Sequence, residues 1–97
     1  MALYHETSQA RDDLSAVIEF IAADNPDAAE RFLTRIASDY RRLAEAPNIG
    51  RSRDELVPGV RSFPVANGNY LVFNRPLSDG ILVLRLLHSA RDVDLLI

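Results

Sequence analysis

The chain has no cysteine and no lysine in its 97 residues, and each absence removes a class of function. Without cysteine there are no disulfides and no thiolate chemistry. Such a composition fits a reducing cytoplasm, the compartment expected here. Without lysine, no amine is present whose pKa burial could tune into a general base. Glycine is scarce, with four residues spread over separate turns, so no glycine-rich phosphate loop exists. The serines show no nucleophile elbow or triad spacing. His5 and His88 lack cysteines or a carboxylate pattern around them, so no metal is expected, and no cofactor. The longest apolar run, from Ile81 to Leu87, is broken by Arg85 and is far too short to cross a bilayer. Met1 to Glu6 has neither a basic nor an apolar stretch, so no secretory signal is expected there.

What is present suits one soluble domain covering residues 1–97. Apolar residues make up 47% of the chain. A chain of this size buries roughly 65% of its unfolded surface, an adequate but thin core. The formal net charge of −3 argues against a general nucleic-acid binder. The charge is uneven. Residues 1–46 hold nine acids and five arginines, whereas residues 47–97 hold five acids and six arginines. A coding bias explains arginine in place of lysine, but it does not explain the concentration of arginine in the second half.

The pattern of apolar residues sets the elements. Leu3-Tyr4-His5 reads as a short strand, and Thr7 or Ser8 as the cap of a helix. Ala10, Leu14, Val17, Ile18 and Ile21 share one helical face, to about Ala23. Asn25-Pro26 ends that helix and starts another, since asparagine caps well and proline suits the first helical position. Ala29, Phe32, Leu33, Ile36, Tyr40, Leu43 and Ala44 carry the second helix, which Pro47 stops. So short a link makes the helices an antiparallel hairpin. Residues 47–59 read as a charged loop, with Arg51, Arg53, Asp54 and Glu55 solvated and salt-bridged. Val60 to Val65 reads as a strand that Pro64 places at a sheet edge. Asn67-Gly68 predicts a two-residue type I′ hairpin turn. Tyr70 to Arg75 returns, and Ile81 to Leu84 reads as a central strand buried on both faces, with residues 3–5 on its other side. The whole is an α+β fold, a two-helix hairpin packed on a small, mostly antiparallel β-sheet in the order β-α-α-β-β-β.

A set of ordered motifs runs through these elements. They are Ser8, Ala10, Asp13-Leu14 and Ile18, then Asn25-Pro26, then Gly50-Arg51-Ser52-Arg53-Asp54-Glu55-Leu56. Pro58-Gly59-Val60-Arg61-Ser62, Gly68-Asn69-Tyr70 and Leu87-His88-Ser89-Ala90-Arg91-Asp92 complete them. Taken in order they resemble the RelE/ParE superfamily of bacterial toxins, and its ParE branch more closely. The resemblance implies the same fold. It also implies the toxin of a type II toxin–antitoxin system, a non-enzymatic inhibitor of DNA gyrase neutralised by a ParD-like antitoxin. No membrane and no small-molecule substrate enter that picture.

The alternative is a RelE-like ribosome-dependent mRNA endoribonuclease. Cleavage by a 2′-hydroxyl needs a base, an acid and a cation near one phosphate. Arg61, Arg85, His88 and Arg91 lie in the right half for that work. Histidine is the one side-chain type among them suited to acid or base work, and no tyrosine follows Tyr70. Arginine stays protonated and makes a poor base. The same four residues are therefore read as an inhibitory, target-binding surface. The plainer alternatives are ion pairs across the sheet for Arg61 and Arg85, and a backbone-bonded strand end for His88. Phe20, Phe32 and Tyr40 are the candidates for lining a groove that takes the antitoxin, with core packing as the alternative for each.

Overall fold

The computed structural model describes residues 2–90. Strand β1 (Leu3–Glu6) leads into helix α1 (Ser8–Asp24), and helix α2 (Pro26–Glu45) follows directly. Strands β2 (Arg51–Ser52), β3 (Arg61–Val65), β4 (Tyr70–Leu77) and β5 (Gly80–His88) complete one sheet, in the order β1-β5-β4-β3-β2. β1 runs parallel to β5 and all the other pairings are antiparallel. The interior position of β5, between β4 and β1, and the helical hairpin agree with the sequence.

Both helices start on side-chain caps. Thr7 Oγ1 accepts from the Ala10 N–H at 3.0 Å, and Asn25 Oδ1 accepts from the Ala28 N–H at 3.1 Å. Each satisfies one of the N–H groups that a helix start leaves without a partner. Neither helix is long and apolar enough to cross a membrane.

Two apolar layers flank the sheet. Val72 and Phe73 are adjacent in β4 and therefore face opposite ways. Val72, Ile81, Val83 and Leu86 meet Ile36, Tyr40 and Leu43 of α2 and Ala10 of α1. Phe73, Val60 and Leu87 form a second cluster, on which Leu56 and Val57 pack.

Three details differ from what the sequence predicts. The segment expected to be a solvated loop covers the second face of the sheet. Arg53 is largely buried, bonded to Glu55 at 2.7 Å and to Ser62 Oγ at 3.3 Å, with its guanidinium over the Phe73 ring. Its flat cation sits on an aromatic face while Nε and Nη1 keep hydrogen-bond acceptors. β3 is not the outermost strand throughout, because β2 pairs with Arg61 and Ser62. The open edge is left to Phe63–Val65, where Pro64 has no N–H to offer. The β3–β4 turn is longer than two residues. Val65 and Tyr70 close the ladder, so residues 66–69 form the loop, and Ala66, Asn67 and Gly68 have φ of 51°, 60° and 84°.

Candidate functional site

β1 covers β5 only from Gly80 to Val83, and α1 serves the edge beyond. Phe73 faces Arg85 while Asn74 faces Val83, so Leu84 is the extra residue of a β-bulge. Thr7 Oγ1 donates to the Leu84 carbonyl at 2.8 Å, and the Thr7 N–H donates to that of Val83 at 3.0 Å. Asp13, one turn and a half into α1, accepts from Arg85 Nε at 2.8 Å, Arg85 Nη2 at 2.9 Å and the Leu86 N–H at 3.0 Å. The hydrogen bond to Asp13 holds the pKa of Arg85 above its ordinary value against the opposing effect of burial. The bulge is thus fastened to the first turns of α1.

Beyond this clamp lies a cleft of about 470 Å³, lined by Asp13, Val17 and Phe20 of α1, Tyr70 of β4, and Leu86 and His88 of β5. Phe20 is 80% exposed. His88 stands opposite Tyr70, ring against ring edge-on at 5.2 Å, and its Nδ1 accepts from the Ala90 N–H at 3.1 Å. Tyr70 in turn meets Phe32 edge-on at 5.5 Å. The apolar lining with a few polar groups at its ends suits a side-chain-bearing partner better than a small charged substrate.

Of the four residues expected to form one target-binding surface, the three described ones have different local tasks. Arg61 is half-buried and donates to the carbonyls of Gly50 at 2.7 Å and Asn48 at 3.2 Å, tying the end of α2 to β3. It lies level with Asn74, whereas His88 lies level with Tyr70. Four residues separate those levels, roughly 13 Å along a strand. Arg85 is committed to Asp13. Arg91 lies outside the described residues. Among the groove candidates, Phe20 and Phe32 reach the surface clefts. Tyr40 does not: it is 1% exposed and packs edge-on against Tyr4 in the core. Burial, helped by Glu6 and Asp13, pushes the Tyr40 hydroxyl pKa well upward. Asp13 is the site residue that the sequence did not single out as functional. Its acid type on the flank of an apolar helix face, paired with an arginine in a late strand, was the available signal.

The profile of the family described as ParE toxin of type II toxin–antitoxin system, parDE, matches residues 4–93. The chain belongs to the ParE toxin family. Toxin ParE3 of Caulobacter vibrioides is 33% identical over 82 residues, spanning 84% of this chain and 80% of that one. A solved structure of a chromosomal ParDE toxin–antitoxin system from P. aeruginosa superposes with a TM-score of 0.75. It shares 25% identity and covers 91% of this chain and 96% of its counterpart. The α+β architecture of this ParE family member is therefore that of a known ParDE component.

Proposed function

We propose that this ParE family member is a cytoplasmic toxin that acts by occupying its target, DNA gyrase, and that a ParD-like antitoxin neutralises it. Membership of the ParE family supports the toxin reading, and the name of the matching solved system supports a ParD-type partner. One observation favours occupancy over catalysis. Two of the candidate cations that a ribonuclease would gather around a phosphate are employed in the fold, Arg85 on Asp13 and Arg61 on loop carbonyls. A nuclease needs base, acid and cation within hydrogen-bond reach of one phosphate. His88 stands exposed at the end of β5. On this reading the target meets the protein at that end, through His88 and the arginine that the sequence places at position 91, with Arg61 and Arg85 holding the sheet beneath. Phe20 and Phe32 line the surface for the antitoxin.

The test is supercoiling by purified gyrase in the presence of the purified protein, repeated after adding the product of the adjacent gene. Inhibition relieved by that product supports the reading. Unimpaired supercoiling together with site-specific cuts in ribosome-bound transcripts establishes the RelE-like alternative.

A further inference from the structure

Tyr70 opens β4 directly opposite His88, the last residue of β5. The Ser89 N–H donates to the Asn69 carbonyl at 2.9 Å, so the pairing carries on one step past them. Tyr70 is half-buried and stands between two rings. Phe32 of α2 meets it edge-on at 5.5 Å and 70°, and His88 meets it edge-on at 5.2 Å and 76°. Tilted pairs of this kind are favoured, because the positive edge of one ring faces the negative face of the next. The helix also steadies the turn that delivers Tyr70. Arg35, one helical turn beyond Phe32, donates to Asn67 Oδ1 at 3.2 Å. α2 therefore holds both the turn before Tyr70 and the ring itself.

The imidazole has a second restraint. A backbone N–H can only donate, so the 3.1 Å bond from the Ala90 N–H requires a lone pair on His88 Nδ1. In the neutral ring the hydrogen then sits on Nε2. We propose that Tyr70 is the positioning residue for His88. Braced by Phe32, its ring holds the imidazole in the orientation that keeps the Ala90 bond and leaves Nε2–H as the donor to the target. An exposed side chain that is already ordered loses less freedom when it binds. The inference rests on the reading of this strand end as the target-binding surface, and it adds the residue that orders it. The plainer role for Tyr70 is to pack the start of β4 on α2, and the two roles differ in whether its loss matters once His88 is gone.

Two measurements test it, on Tyr70→Val, Tyr70→Phe, His88→Ala and the double variant Tyr70→Val/His88→Ala, each checked by thermal unfolding. Nitrogen-15 NMR at about pH 8, where an ordinary imidazole is neutral, reads the tautomer of His88. His88→Ala separates its signals from those of His5. Wild type and Tyr70→Phe should carry the hydrogen on Nε2 alone, since both keep the ring contacts, and Tyr70→Val should show both tautomers. Both tautomers in the wild type, or Nε2–H alone in Tyr70→Val, overturns the proposal. The second measurement is the amount of protein that halves the growth rate under titrated expression, which requires no named target. His88→Ala should raise that amount about tenfold, the share of one good hydrogen bond. Tyr70→Val should raise it nearly as far, and Tyr70→Phe should restore the wild-type value. The double variant should be no weaker than His88→Ala, because Tyr70 acts through the imidazole. Losses that multiply in the double variant overturn the proposal and leave Tyr70 as packing or as a separate contact. If Tyr70→Val does not fold, Phe32→Leu, which removes the brace and leaves Tyr70, takes its place with the same expectations. A wild type that does not arrest growth refutes the toxin reading, and the target contact with it. Growth arrest with unimpaired gyrase supercoiling refutes the choice of target alone, and the double variant still decides the role of Tyr70.

Discussion

Replacing Asp13 by alanine should destabilise the protein more than any other single loss of charge. Its carboxylate takes three hydrogen bonds, two from Arg85 and one from the Leu86 N–H. The two side chains are 15% and 16% exposed. Alanine leaves a mostly buried guanidinium and a backbone N–H without their shared acceptor. Breaking a buried pair from one side costs about 3–5 kcal/mol, and the residual exposure argues for the lower end, about 3 kcal/mol. For a domain of this size that is a fall of roughly 12–24 °C in Tm. The neighbouring Asp12 is exposed, and Asp12→Ala should stay within about 0.5 kcal/mol. Chemical denaturation followed by circular dichroism measures both. A loss below about 0.5 kcal/mol for Asp13→Ala would refute the clamp, and so would equal losses for the two variants.

Other outcomes follow from neighbouring details. The Tyr40 hydroxyl has no hydrogen-bond partner among the described residues, so Tyr40→Phe should change stability by less than about 1 kcal/mol. Tyr40→Ala should cost about 3–5 kcal/mol by opening a cavity, and thermal unfolding separates the two. A Cβ on Gly80 would collide with the backbone of Leu3, so Gly80→Ala should prise β1 from β5 and lower stability by more than about 2 kcal/mol. The Arg53 hydrogen bond holds the Glu55 carboxyl below its ordinary pKa. The stability it lends is present above the ordinary carboxylate range and fades as pH falls through the lowered value. Carbon-13 NMR should find Glu55 titrating low in the wild type and moving up in Arg53→Gln. Arg61→Ala should lose stability as well as toxicity, since its guanidinium holds two loop carbonyls, whereas His88→Gln should keep the fold and most of the growth inhibition.

Much of this architecture was legible because it rests on local rules. The helical hairpin follows from two apolar stripes and from Asn25-Pro26, which caps one helix while ending the other. The interior place of β5 follows from the apolar run Ile81 to Leu84, which two-sided burial explains. The site was less legible because it depends on pairings between distant residues. Nothing near Leu84 announces a bulge; the bulge is visible only once Thr7 and Asp13 meet β5. Arginine in a strand looks alike whether it faces a target or pairs with an acid, the two readings open for Arg85, whose partner Asp13 lies 72 positions earlier. Phe32 and Tyr40 share a helix face, yet one meets Tyr70 of β4 beside a surface cleft and the other meets Tyr4 of β1 in the core. Periodicity places both towards the sheet and is silent on which of them the sheet covers. Phe20 is the converse case. It lies off the apolar stripe of α1, and a large apolar residue in that position stays exposed.

The claim that this ParE family member blocks its target and cuts no RNA is tested most directly by controlled expression without an antitoxin. Plasmid topology and transcript ends are followed in the same culture. Relaxed or broken DNA with intact transcripts is the predicted result. Normally supercoiled DNA with site-specific transcript cuts, lost in His88→Gln, would contradict it.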